Sequence, residues 1–101
     1  MAKKYENDKG FLIIEMSYEE AKNICNFGCV TGETERIIVC DNCNNKFEHT
    51  DNIYYFAVLN SAFCKECTDD IIANQTRYEE DIPYEIKYYN HYAKLLNIEE
   101  V

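Results

Sequence analysis

Long apolar runs, catalytic signatures and positive charge are what this 101-residue sequence has little of. Its longest apolar stretches, Phe11 to Ile14 and Tyr54 to Leu59, fall far short of the roughly 20 residues that a membrane-spanning helix needs. No basic leader followed by an apolar segment and a small-residue cleavage site opens the chain, so the expectation is a soluble protein of the cytoplasm. Linkers, low-complexity tracts and internal repeats are absent as well. That predicts one domain over residues 1–101, with a core modest enough for cross-linking to help it. GxSxG, a phosphate-binding loop and HExxH are all missing, and no nucleophile is paired with a base, which argues against an enzyme.

Basic residues number ten against nineteen acidic ones, for a formal net charge of -9. The deficit is uneven, because residues 48–101 hold four basic and eleven acidic residues, a balance of -7. Phosphate binding needs clustered Lys and Arg, and only Arg36, Arg77 and scattered lysines are on offer. Free duplex DNA is therefore a poor partner. A basic groove on another protein is a better one, since opposite potentials steer association.

Against these absences stand six cysteines, four of them in "CDNCNNKFEHTDNIYYFAVLNSAFCKEC", residues 40–67, which begins and ends with CxxC. In a reducing compartment such cysteines favour metal ligation over disulfides. A two-residue spacer lets both sulfurs of a pair reach one ion, so Cys40, Cys43, Cys64 and Cys67 are the expected ligands of a tetrahedral Zn²⁺. Four bound thiolates and one ion would add a further two negative charges.

The surrounding pattern gives these pairs a setting. After a polar start at residues 1–10, "FLIIEM" reads as a strand. Ser17 and Glu20 then form a reciprocal capping pattern that opens a helix running toward Gly28. "ERIIVC" reads as a second strand delivering the chain into Cys40, and "NIYYFAV" as a third, rich in β-branched and aromatic residues. "CKECTDDIIANQTRY" reads as a helix whose first turn holds the second CxxC. A last helix, residues 81–98, opens at Asp81 with Pro83 just inside it.

Knuckle, hairpin and ligand-bearing helix in this order resemble a treble-clef zinc finger of the LIM-like kind, covering Cys40 to about Tyr78. The resemblance implies an α+β fold with a finger core over residues 36–78, flanked by an N-terminal strand and helix and by the C-terminal helix. It implies no function. A helix N-terminus and Lys65 would favour the thiolates of Cys64 and Cys67. A thioredoxin-like redox site has the same local order of strand, CxxC and helix, but it needs a cis-proline facing its cysteines. Here the sole proline, Pro83, heads a helix. HNH-type nucleases share the treble clef, yet they need histidines on hairpin and helix. His49 lies in the hairpin region, whereas the helix after Cys67 carries none, and His91 falls in the last helix.

Cys25 and Cys29 leave alternatives open. Spaced by four, they would share one face at the end of the first helix. There they either bind a second metal with His49 or His91, pair with Cys40 and Cys43, or simply pack as small apolar residues. Packing is the preferred reading because no four-ligand set completes itself around them.

In the last helix Ile82, Ile86, Tyr89, Ala93 and Leu96 form an apolar stripe for packing on the finger. Tyr84, Tyr88 and Tyr92 form a second stripe, either the half-buried margin of the core or a contact surface. Glu79, Glu80 and Asp81 read as a solvated turn that favours the helix dipole, and also as acidic contacts for a basic partner.

A small, acidic, tyrosine-rich domain stapled by zinc resembles bacteriophage accessory proteins, among them the anti-CRISPR proteins that disable Cas nucleases. That resemblance implies a protein-binding inhibitor working in the bacterial host cytoplasm, with Cas9 as its first candidate partner. The alternatives are a zinc-finger transcriptional regulator or adaptor, and after these a CxxC redox protein or HNH-like nuclease.

Overall fold

The computed structural model describes residues 2–24, 29–31 and 36–101, with the backbone alone at some of these. A four-stranded antiparallel sheet forms its centre in the order β1-β2-β5-β6, from β1 (Lys3–Lys4), β2 (Ile13–Ser17), β5 (Asn52–Phe56) and β6 (Ser61–Phe63). A separate hairpin pairs β3 (Cys29–Thr31) with β4 (Arg36–Ile38), and three helices follow the chain as α1 (Tyr18–Ile24), α2 (Lys65–Asn74) and α3 (Ile82–Leu96).

The central pairing is dictated by side chains that must leave water. Ile13 lies opposite Phe56, Ile14 opposite Tyr55 and Met16 opposite Ile53, so β-branched and aromatic residues meet across the strands. Ile53, Tyr54, Tyr55 and Phe56 are all buried. A strand alternates its faces, so β5 is covered on both. On one face Tyr55 packs on Tyr92 of α3 at 4.4 Å between ring centroids. On the other, Tyr54 meets the edge of Tyr5 at 4.9 Å, and the Tyr5 hydroxyl donates to Asp69 of α2 at 2.8 Å. The sheet thus lies between α2 and α3.

Both sheet edges are closed. β1 is two exposed lysines long, a short charged edge of the kind that discourages further pairing. β6 is closed by the loop that carries Cys40 and Cys43, through Asp41. Between β5 and β6 a 3-10 turn, Ala57–Leu59, ends at Asn60 in the left-handed region (φ 50°), and the Asn60 amide oxygen accepts the Tyr55 hydroxyl at 2.7 Å.

The expected capping at Ser17 is present in both directions. Ser17 N–H donates to Glu20 Oε1 at 3.0 Å and Glu20 N–H donates to Ser17 Oγ at 3.2 Å, while Glu20 Oε2 takes the Ala2 N–H at 2.9 Å. The helix does not carry both Cys25 and Cys29. α1 ends at Ile24 and Cys29 opens β3, with Val30 opposite Ile37 in the register. The shared helical face expected for the two cysteines is therefore corrected: Cys25 lies outside the described residues, and Cys29 sits in a strand.

α3 is preceded by a 3-10 turn, Glu79–Asp81, and carries Pro83 in its first turn. It ends at Asn97 (φ 62°), whose N–H returns to Ala93 and Lys94. Its buried face is Glu85, Tyr89, Tyr92 and Ala93, with Ile86 and Leu96 partly covered. That face is rotated from the expected stripe toward Glu85, and the reason is an ion pair. Arg77 reaches Glu85 Oε1 through Nε at 3.2 Å and Nη2 at 2.8 Å, and Glu85 Oε2 accepts the Leu12 N–H at 3.0 Å. Both carboxylate oxygens are used, which is how a charge 1% exposed is retained in the core. Gly10, beside the Arg77 guanidinium, takes φ at +76°, a left-handed conformation that favours glycine. Among the described residues no helix is long and apolar enough to cross a membrane.

Candidate metal centre

The first cysteine pair is held by a knuckle. Val39 bridges to Lys46, Cys40 N–H donates to the Asn45 carbonyl at 3.0 Å, and Asn44 N–H returns to the Cys40 carbonyl at 2.9 Å. Asn44 takes a left-handed φ of 62°, which Asn tolerates better than most residues. The turn this makes turns Cys40 and Cys43 to the same side.

The second pair comes from the helix start. Cys64 is the N-cap residue of α2, with extended backbone at φ -74° and ψ 167°, and Cys67 lies in the first turn. Free N–H groups collect at such an end. The Cys64 N–H donates to Cys40 Sγ at 3.4 Å, which ties the two pairs together through one hydrogen bond.

Asp41, inside the first CxxC, fixes the knuckle against the sheet. Its N–H donates to the Ala62 carbonyl at 2.9 Å and its Oδ2 accepts the Ala62 N–H at 2.9 Å. These are the outward-facing groups of β6, so Asp41 closes the sheet edge and carries Cys40 to Cys64 in the same move. The sequence places Asp41 in a turn and gives no sign of this role, because its partner lies 21 residues away.

All four sulfurs lie within 4.8 Å of one another, and Cys43 Sγ is 4.0 Å from Cys64 Sγ. Tetrahedral zinc with Zn–S bonds near 2.3 Å sets sulfurs about 3.8 Å apart, so the cluster fits such an ion with small adjustments. Cys40 and Cys67 are buried, Cys64 is half-buried and Cys43 is exposed. Burial pushes the Cys40 thiol up, but N–H groups of Cys43, Cys64 and Asn42 donate to its sulfur and outweigh this, holding it down to about 7. Burial pushes Cys64 up to about 12. For Cys67 the Asn42 side chain pulls downward, while burial and the thiols of Cys40 and Cys43 prevail and raise it. Of these three thiols Cys40 is thus the most readily ionised, and Cys64 and Cys67 hold their protons more firmly.

The remaining singled-out residues lie elsewhere. His49 stacks its ring edge on Tyr18 at 4.8 Å and sits 3.6 Å from Glu19, and His91 packs against Tyr92 at 4.9 Å. Among the described residues neither joins a metal-ligating group. The three tyrosines of the last helix separate: Tyr84 is 63% exposed, Tyr88 is half-buried and Tyr92 is 6% exposed. Tyr92 belongs to the core, and a cleft of about 460 Å³ beside it is lined by Asn60, Lys87, Tyr88 and His91. Glu79 and Glu80 are exposed and Asp81 is half-buried.

No family model, curated protein or solved structure matches the chain. What the geometry defines is a small α+β protein with a four-cysteine cluster compatible with a zinc site.

Proposed function

We propose that Cys40, Cys43, Cys64 and Cys67 hold one structural Zn²⁺ in a treble-clef finger, and that the domain so fastened is an acidic protein-binding module. Its proposed task is to inhibit a nucleic-acid-handling defence complex of a bacterial host, in the manner of a phage anti-CRISPR protein, with Cas9 as the first partner to test. The observation that carries the metal reading is the convergence of four sulfurs within 4.8 Å. The order of knuckle, β5–β6 hairpin and ligand-bearing α2 supports the treble clef. Four thiolates complete a tetrahedral shell and leave no position for a substrate, which favours a structural ion over a catalytic one.

Charge supports the partner class. α2 presents the exposed Glu66, Asp69 and Asp70, and the turn before α3 presents Glu79 and Glu80. The basic residues of this half are partly used up: Arg77 is committed to Glu85, and Lys65 lies 3.5 Å from Asp69. That leaves Lys87 and Lys94 without an ion pair among the described residues, too few to hold duplex DNA at physiological salt. Tyr84 and Tyr88 supply short-range contact area beside these charges.

The test is cleavage of target DNA by guide-loaded Cas9 orthologues with excess zinc-loaded protein, and with a zinc-stripped control. The reading expects cutting to fall for at least one orthologue and to recover in the stripped control. Undiminished cutting together with no detectable binding to any orthologue would remove Cas9 as partner.

A further inference from the structure

We propose that, of the four clustered cysteines, Cys43 is the one that peroxides modify first, and that the first disulfide formed within the cluster joins Cys43 to Cys64. The inference rests on the zinc reading above and concerns which of the four sulfurs gives way first. The cluster is not symmetric. Cys40 is 0% exposed and Cys67 7% exposed, whereas Cys43 stands on the surface. Cys40 is further protected by the N–H of Cys64, 3.4 Å from its sulfur, since a donated hydrogen bond draws charge off a thiolate and weakens it as a nucleophile. An oxidant arriving from solvent therefore meets Cys43.

All four sulfurs lie within 4.8 Å of one another, so its partner is set by access, Cys40 and Cys67 being buried. Cys64 Sγ lies 4.0 Å from Cys43 Sγ, across the junction between knuckle and helix, and is half-buried. In the first step the Cys43 thiolate attacks one oxygen of hydrogen peroxide. The O–O bond breaks, hydroxide leaves, and a sulfenic acid remains on Cys43. In the second the Cys64 thiolate attacks the Cys43 sulfur, so that the S–O bond breaks, the S–S bond forms and a second hydroxide leaves. Two thiolates and one peroxide become one disulfide and two hydroxide ions, a two-electron oxidation. Each CxxC loses one ligand. Cys40 and Cys67 alone do not make a structural zinc site, so the ion departs and the knuckle becomes bonded to the start of α2.

The experiment uses zinc-loaded wild-type protein titrated with hydrogen peroxide, with zinc release followed by a metal-sensitive dye. Free thiols are trapped at each time point and disulfides mapped by peptide mass spectrometry. The earliest linked peptide is expected to join Cys43 and Cys64, in step with zinc release. Limiting N-ethylmaleimide on the same native protein should label Cys43 at least about tenfold ahead of Cys40 and Cys67, a readout that needs no variant to fold. A first disulfide of Cys40 with Cys43, of Cys64 with Cys67, or of one of the four with Cys25 or Cys29 would overturn the proposal, as would first labelling of a buried sulfur or no disulfide at all. Absence of zinc from the starting protein would instead sink the metal reading, and this inference with it.

Discussion

Glu85 is the residue on which the packing of α3 depends most. Its carboxylate neutralises Arg77 and satisfies the Leu12 N–H, so truncation leaves a buried donor and a half-covered guanidinium without partners. Glu85→Ala should cost about 3–5 kcal/mol in urea unfolding of the zinc-loaded protein, and Glu85→Gln less, because its amide oxygen still accepts the Leu12 N–H. Equal losses for the two variants would mean that charge alone matters at this position. The thiols make the second prediction at this scale. Zinc must displace a proton from Cys64, pushed up to about 12, at every pH near neutrality, and from Cys40, near 7, increasingly as the solution is acidified. Zinc affinity, and with it the stability the ion confers, is present at the alkaline end and lost as pH falls. Between pH 8 and pH 6 the affinity should drop at least about a hundredfold on the Cys64 proton alone. Competition with a chelator of known pH dependence measures this, and an affinity flat over that window would contradict the thiolate assignment.

Elements show which parts of the fold can be read locally. The Ser17 and Glu20 cap was legible because both partners lie within one turn, and the CxxC pairs because a two-residue spacer is itself the chemistry. β3 and β6 were not, since three-residue strands carry no periodic signal and exist through pairing with Ile37 and Tyr55 respectively. The rotation of α3 was hidden for a related reason. The stripe leaves Glu85 out because only Arg77 and Leu12, from other segments, satisfy it, and Tyr92, open to either core margin or contact surface, is settled as core by Tyr55 beneath it. Asp41 belongs here too, as the side chain that joins knuckle to sheet. Asp41→Ala should expose the β6 edge and loosen the approach of Cys40 to Cys64, lowering zinc affinity about 10- to 100-fold. Asp41→Asn keeps an oxygen acceptor and should lose less. Chelator titration of both variants checks the order, and an Asp41→Ala protein with unchanged affinity would show that the knuckle sets itself.

At the scale of the whole molecule, the four-cysteine segment is built into a larger core. Its hairpin shares a sheet with β2, and aromatic side chains of β5 pack on Tyr92 of α3 on one face and on Tyr5, which bonds Asp69 of α2, on the other. The four-cysteine cluster joins the knuckle to the start of α2, and Glu85 with Arg77 fastens the region of α3 to the segment before β2. Zinc in small fingers contributes roughly 10–16 kcal/mol of apparent binding energy at neutral pH, comparable with the stability of an entire domain. If zinc is bound as proposed, metal binding and folding are one property. The most direct measurement is elemental analysis of anaerobically purified, folded protein, followed by circular dichroism during removal of the ion by a chelator. One zinc per chain, with loss of tertiary signal as it leaves and recovery on its return, is the predicted result. A folded protein carrying no stoichiometric metal would contradict the central claim.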